Sequence, residues 1–150
     1  MEQHQHTYSK ICTTREQSKR LIELGLNTLT ADITWKDNVP ECKPYGRNLN
    51  MKLFSTRNGY TYPAWSLNAL VKLMPYEIIH NHNAIQFQLY PQPDSNKWNC
   101  LYIKTQPLTS GPIPYFGNIL SLDEPIDAVF ETLCKLLEHN YINIKENEND

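Results

Sequence analysis

The residues best suited to chemistry are two histidines in the run His80-Asn81-His82. On a β-strand, residues two apart project from the same face, so both imidazoles could bind one metal ion. A zinc site needs further ligands, and none stands at a fixed spacing from this pair. We interpret the histidines as polar turn residues and predict no metal site. His4 and His6 repeat the spacing in an N-terminal segment that is expected to fray.

Asp32 is a candidate general base because it lies among apolar neighbours in the segment Ala31-Asp32-Ile33-Thr34-Trp35. Desolvation there could raise the pKa of its carboxyl group. One hypothesis is therefore a small hydrolase that uses Asp32 with a histidine, and His80 and His82 are the candidates. The same alternation also fits a strand that turns Asp32 outward, and we favour this structural interpretation.

Other patterns typical of catalysis are missing from the sequence. There is no G-x-S-x-G elbow, Ser66 is predicted to cap a helix, and Cys42 has no identified base partner. The four cysteines have no C-x-x-C pair and no zinc-ligand spacing, so reduced and buried thiols are expected. The five glycines form no phosphate-binding loop. We predict no cofactor and favour a protein that is not an enzyme.

A stretch from residue 45 to residue 62 mixes basic and aromatic side chains and is the candidate partner-binding surface. Asn58-Gly59 predicts a two-residue hairpin, on which aromatic rings could stack on the bases of single-stranded nucleic acid. The positive charges are few for such a protein, and aromatic residues in strands usually pack in a core. Nucleic-acid binding is therefore an alternative. The candidate residues are Arg47, Lys52, Arg57 and Tyr60.

The clearest element that would position these residues is a short helix between Tyr62 and Pro75. Ser66 can cap its first turn, Trp65 just before the cap can pack on Leu70, and Pro75 prevents continuation. Trp65 is therefore expected to be a buried structural residue between this helix and a sheet.

Two longer helices are predicted near the ends of the chain. Thr13 and Glu16 predict a capping box at the start of the first, and Gly25 predicts its left-handed ending. Pro125 takes the favoured first position of the last helix, and Asn140 can end it in the same way. Apolar residues of this last helix form one stripe, consisting of Ile126, Val129, Phe130, Leu133 and Leu137.

Between the helices the apolar period changes to two, which predicts strands. Residues 76–80, 85–90 and 98–103 are predicted to form a meander, and residues 30–35 a further strand. The segment from Pro107 to Asn118, with three prolines and two glycines, is predicted to be a long irregular connection. The expected fold class is α+β, an antiparallel sheet of about four to six strands with about three helices packed mainly on one side.

Length and composition predict a single domain over residues 1–150, with flexible ends at 1–12 and 145–150. The net charge of −2 divides unevenly, since ten basic and six acidic residues precede Tyr76 and four basic and ten acidic residues follow Pro75. We interpret this as unequal surface composition, with a docking face or a weak contact with a polyanion as the alternative. Neither a membrane span nor a secretory signal is recognisable, so a cytoplasmic location is expected.

Several short motifs along the chain form a set: Thr14, Glu16-Gln17-Ser18, Leu21, Gly25, Thr30-Ala31-Asp32, Pro63-Ala64-Trp65-Ser66-Leu67, Leu70, Leu73, Pro75 and Glu124-Pro125. This set, spread from about Thr13 to Ile142, resembles an uncharacterised family of small proteins from gut anaerobic bacteria that are often associated with prophages or other mobile elements. The resemblance is specific at the tryptophan segment and loose elsewhere. It implies a compact cytoplasmic accessory protein and no known activity, cofactor or catalytic residue. The loop around Pro107 matches no pattern of the family.

The sequence thus predicts a non-enzymatic cytoplasmic interaction protein of phage or mobile-element origin, with another protein as its partner. The exposed parts of the hairpin at 48–62 and the loop at 107–118 are the expected contact surfaces, because loops on a rigid scaffold commonly carry binding residues. The hydrolase and the binder of single-stranded nucleic acid are the alternatives.

Overall fold

A computed structural model describes residues 10–36, 39–41, 61–104 and 112–142. These residues form two antiparallel sheets, with the strand orders β2-β1-β3 and β4-β5-β6-β7, together with three α-helices. The predicted α+β class is confirmed, and the strands are divided between the two sheets. The elements are α1 (Arg15–Glu23), a 3₁₀ turn (Thr28–Thr30), β1 (Ile33–Lys36), β2 (Val39–Glu41), β3 (Thr61–Ala64), α2 (Leu67–Leu73), β4 (Glu77–His80), β5 (Asn83–Pro91), β6 (Trp98–Ile103), β7 (Tyr115–Leu122) and α3 (Pro125–Glu138).

The start of α1 lies one residue later than the sequence indicated. Thr14 is the N-cap: its Oγ1 accepts from the backbone N–H of Gln17 at 3.2 Å, and the Gln17 side chain accepts from the Thr14 N–H at 2.9 Å. The predicted box of Thr13 with Glu16 is wrong because Thr13 is fully buried and engaged elsewhere. Its Oγ1 lies 2.8 Å from the Ser18 hydroxyl and accepts from the Trp65 N–H at 3.0 Å.

The predicted left-handed ends of α1 and α3 are both present. Gly25 has a φ of 99°, and the next N–H, from Leu26, donates to the Leu21 carbonyl at 2.9 Å. Asn140 has a φ of 58°, and the N–H of Tyr141 donates to the Leu136 carbonyl, also at 2.9 Å. Both helices therefore end in a Schellman motif.

The short helix α2 begins and ends as its sequence predicts. Ser66 Oγ accepts from the backbone N–H of Ala69 at 3.1 Å, and the helix stops before Pro75. The Trp65 side chain is fully buried, as is Leu70, and the indole Nε1 donates to Thr30 Oγ1 at 2.8 Å. The indole thereby connects the start of α2 to the 3₁₀ turn.

Two strand boundaries differ from the prediction. The first strand starts at Ile33, because residues 28–30 form a 3₁₀ turn whose Leu29 N–H donates to the side chain of Asn27 at 2.9 Å. Residues 115–118, predicted to be irregular, belong to β7 and pair with β6. Gly117 makes this possible, since its φ is 121° and a Cβ there would lie 3.1 Å from both Leu101 Cα and Thr132 Cγ2.

The main core lies between α3 and the four-stranded sheet. α3 contacts β6 and β7, and it also packs on α2. The predicted apolar stripe of α3 is buried, and burial extends beyond it to Ala128, Thr132, Cys134 and Leu136. Thr132 Oγ1 donates to the Cys100 carbonyl at 2.9 Å, which fixes the helix against the sheet. Among the described residues, no helix is both long and apolar enough to cross a membrane.

Candidate functional site

Asp32 lies just before β1 and is bound to the start of α2. Its carboxylate accepts hydrogen bonds from the Ser66 N–H, at 2.8 Å, and from the Ser66 hydroxyl. The interpretation of Asp32 as an outward strand residue is therefore wrong, because the chain is not yet a strand at this point and its side chain is half-buried. Asp32 holds the residue that caps α2.

The structure does not bring Asp32 and a histidine together. Ser66 supplies both hydrogen bonds that the Asp32 carboxylate accepts within the described residues. The His80 Nδ1 instead lies 2.5 Å from the Tyr141 hydroxyl. A hydrolase that pairs Asp32 with His80 or His82 thus gains no geometric support from these contacts, since a general base must reach the group that it deprotonates.

His80 belongs to a cluster of four rings at the C-terminal end of α3. Its imidazole packs on Phe116, with ring centroids 5.0 Å apart, and meets the Tyr141 ring at 5.8 Å. His139 also packs on Phe116, with ring centroids 5.2 Å apart, and its Nδ1 lies 2.8 Å from the Lys135 carbonyl. These contacts join the β4–β5 hairpin, β7 and α3, and so His80 has a structural role.

His82 lies at the tip of the β4–β5 hairpin and points to solvent. Asn81 and His82 have φ angles of 49° and 66°, which are typical of the two-residue turn that fits a twisted hairpin. The prediction that His82 lies in a turn is confirmed. Across the described ranges, no three histidine, cysteine, aspartate or glutamate side chains are grouped as metal ligands would be.

Two of the cysteines in the described ranges, Cys100 and Cys134, are poor nucleophiles. Cys12, Cys100 and Cys134 are buried. Burial raises the pKa of the Cys100 thiol to about 11 and that of the Cys134 thiol to about 12. Because the thiolate is the reactive form, these side chains are held in their unreactive state at neutral pH. Cys42 lies outside the described residues.

The candidate partner-binding residues of the predicted hairpin, Arg47, Lys52, Arg57 and Tyr60, also lie outside the described residues. The end of that stretch is described. Tyr62 is buried and stacks on Trp35 across β1 and β3, with centroids 5.7 Å apart. Burial raises the pKa of its hydroxyl to about 12. Tyr62 is therefore a cross-strand core partner. Of the predicted loop at 107–118, residues 112–114 precede β7 and residues 115–118 belong to it.

The edge strand β4 and the residue before it carry the most exposed large apolar side chains of the described chain. Tyr76, just before β4, is 76% exposed and Ile79 is 61% exposed. Among the strands of the described residues, β4 has a neighbour on one side only, which is β5. The edge therefore combines large apolar side chains with a backbone that can accept another strand.

The register defines which backbone groups are available at this edge. The Phe87 N–H donates to the Tyr76 carbonyl at 2.9 Å, so Tyr76 is in a hydrogen-bonded position opposite β5. Hydrogen-bonded and non-hydrogen-bonded pairs alternate along an antiparallel ladder. Ile78 and His80, which pair with Ile85 and Asn83, therefore direct their backbone groups toward β5. The N–H and C=O groups of Glu77 and Ile79 point away from the sheet.

The edge strands of the three-stranded sheet are protected against the addition of another strand, whereas β4 is not. β2 contains Pro40 and β3 contains Pro63, and proline lacks the N–H that a further strand would need. In the four-stranded sheet, the opposite edge strand, β7, contains Gly117 in a left-handed conformation, and its register with β6 is irregular. β4 is regular and without proline.

Tyr76 and Ile79 were not among the residues selected from the sequence, although one signal was present. Ile78 and Ile79 are adjacent, and adjacent residues of a strand point to opposite faces. If one face is buried, one isoleucine must face solvent. Ile78 is 5% exposed and packs in the core, which leaves Ile79 outside.

Comparison of the chain with protein-family models, with curated proteins and with solved structures found no match.

Proposed function

We propose that this chain is a non-enzymatic interaction protein that binds an extended segment of a partner protein along the edge of β4. The single observation that carries the proposal is the β4 edge, on which no other strand of the described residues lies. Glu77 and Ile79 direct backbone N–H and C=O groups outward, next to the exposed side chains of Tyr76 and Ile79. Strand addition to a sheet edge uses such groups for affinity and neighbouring side chains for specificity.

The chemistry of the edge indicates what kind of segment it binds. Ile79 and Tyr76 offer apolar contacts, and the Glu77 carboxylate accepts from the Gln86 side chain at 2.7 Å. A matching segment is extended, apolar opposite Ile79 and either polar or basic opposite Glu77. Because β4 has only four residues, few backbone hydrogen bonds form, each worth about 0.5–1.5 kcal/mol. We expect modest affinity, with a dissociation constant on the order of 1–100 μM.

The location and origin of the protein are part of this proposal. A cytoplasmic protein of phage or mobile-element origin is supported by the sequence resemblance alone. No contact within the described residues favours the hydrolase or the nucleic-acid binder over the β4 edge.

A selection from displayed random peptides tests the proposal. Peptides enriched on the wild-type protein should lose about tenfold in affinity for the variant Ile79→Pro, which removes an outward N–H and leaves the β5 ladder complete. Ile79→Val, which keeps the N–H and the branched side chain, should bind nearly as wild type. Near-ultraviolet circular dichroism checks that each variant keeps its fold.

A second pair of variants controls for general surface hydrophobicity. Ile79→Lys should weaken the selected peptides, whereas Val39→Lys should not, although Val39 is 58% exposed and also lies on an edge strand. Failure to enrich any peptide would overturn the proposal. So would peptides that bind the folded Ile79→Pro protein as tightly as the wild type.

A further inference from the structure

A cleft of about 270 Å³ lies between α2 and the segment that leads into β1. Its lining shares no residue with the β4 edge and has a different chemical character. Its lining combines an ammonium, a carboxylate, an amide and a hydroxyl group with two apolar side chains, from Thr30, Asp32, Asn68, Ala69, Lys72 and Leu73.

Helix α2 supplies one wall of this cleft through its periodicity. Asn68 and Lys72 are four residues apart, as are Ala69 and Leu73, so the two pairs form adjacent rows on the helix surface. One row is polar and exposed, and the other is apolar and less exposed. The opposite wall comes from Thr30 and Asp32, which are held against α2 by hydrogen bonds to Trp65 and Ser66.

The charged groups of the cleft do not neutralise each other. The Asp32 carboxylate accepts two hydrogen bonds from Ser66, and the described part of the chain gives it no ion pair with Lys72 or with any other cation. Each carboxylate oxygen can still accept another hydrogen bond. The Thr30 hydroxyl, in contrast, is already engaged, since it donates to the Asn27 carbonyl and accepts from the Trp65 indole.

We infer that this cleft binds a small zwitterion of the α-amino-acid class. The ligand ammonium would meet the Asp32 carboxylate, and the ligand carboxylate would meet the Lys72 ammonium and the Asn68 amide. An apolar side chain would lie on Ala69 and Leu73. A cavity of this size lies just below the range of pockets for drug-sized ligands, which suits a single amino acid. Ion pairs at an open site contribute little each, so the expected dissociation constant is on the order of 1 mM.

Titration of the ¹⁵N-labelled protein with L-leucine, followed by NMR, tests the inference. Saturable shifts are expected at the amides of Thr30, Asn68 and Lys72. Leucinamide, which lacks the carboxylate, and N-acetyl-leucine, which lacks the ammonium, should each bind about tenfold more weakly. No saturable shift at leucine concentrations of about ten times the expected dissociation constant would overturn the inference. Equal binding of the three compounds would also overturn it.

A matched pair of lysine variants locates the site. Lys72→Met removes the ammonium from the cleft and should weaken leucine binding about tenfold. Lys19→Met removes an exposed lysine from α1 and should bind leucine as the wild type does. Unchanged leucine binding by Lys72→Met would overturn the inference. The peptides selected on β4 should be unaffected by Lys72→Met, so the outcome is independent of the proposed function.

Discussion

At the scale of single residues, Trp65 connects three parts of the chain. Its backbone N–H donates to Thr13 Oγ1, and its carbonyl accepts from the Thr13 N–H, both at 3.0 Å. The indole reaches Thr30 in the 3₁₀ turn, and the next residue, Ser66, binds Asp32. One short segment thereby fixes the start of α2 against both α1 and β1. The role of Trp65 is structural, since the side chain is fully buried and presents no surface to a ligand.

The first prediction compares Trp65 with its neighbour. Trp65→Ala should lower the free energy of unfolding by ~3–5 kcal/mol, because a large cavity forms in the core. Ser66→Ala should cost only ~1–2 kcal/mol, through the lost cap of α2 and the lost hydroxyl contact with Asp32. Urea unfolding followed by circular dichroism measures both. Equal stability of Trp65→Ala and wild type would contradict the structural role of the indole.

At the scale of elements, the ends of helices α1 and α3 are fixed by local backbone conformation. Each helix is followed by a residue with a positive φ, and the backbone N–H of the next residue donates a hydrogen bond to a carbonyl in the last turns of the helix. The first uses Gly25, for which a positive φ costs little, and the second uses Asn140, which tolerates it less well. The two helices therefore differ in how well the residue at the left-handed position suits that conformation. Glycine in α1 is the preferred residue, and asparagine in α3 is not.

The second prediction follows from this difference and has opposite signs at the two sites. Gly25→Ala should lower the free energy of unfolding by ~1–2 kcal/mol, because a Cβ disfavours the left-handed conformation. Asn140→Gly should leave the free energy unchanged or raise it slightly, since glycine enters that conformation freely. Thermal and urea unfolding of the two variants provide the measurement. A loss of stability in Asn140→Gly would indicate that its side chain has a separate role.

At the scale of the whole molecule, α3 lies close against β6 and β7 where it crosses them. Gly117 lies at this crossing, where an added Cβ would meet a backbone atom of Leu101 and the methyl group of Thr132. Thr132 also bonds to the Cys100 carbonyl. The absence of a side chain at residue 117 therefore allows the helix to lie close enough to form that bond.

The third prediction tests this packing by rescue. Gly117→Ala should lower the free energy of unfolding by ~2 kcal/mol, from a positive φ and from two contacts of 3.1 Å. Thr132→Ser in the same protein should recover part of the loss, because it removes the methyl group and keeps the hydroxyl that bonds to Cys100. A double-mutant cycle of unfolding free energies measures the coupling. If the effects of the two substitutions on the free energy of unfolding were strictly additive, the methyl contact would have no effect.

Local signals in the sequence determined the helices and the hairpins. Ser66 and Pro75 bound α2, Gly25 and Asn140 end their helices, and Asn81-His82 forms the predicted turn. In each case the interacting groups lie within about five residues along the chain, so residue type and spacing specify the contact. The error at α1 is of the same kind, since Thr13 and Thr14 are chemically equivalent caps. Thr13 is buried and accepts a hydrogen bond from Trp65, and so its neighbour Thr14 caps the helix.

Only the tertiary structure decided the partners of the candidate site residues. Asp32 binds a residue 34 positions away, and His80 binds one 61 positions away. The open edge of β4 likewise depends on which strands neighbour it, and the strand β7 depends on a close approach to α3. Such contacts are set by how the layers pack, because alternation and capping identify elements and not their neighbours. The sequence by itself therefore determined the elements other than β7, and packing determined β7 and which surfaces remain available for function.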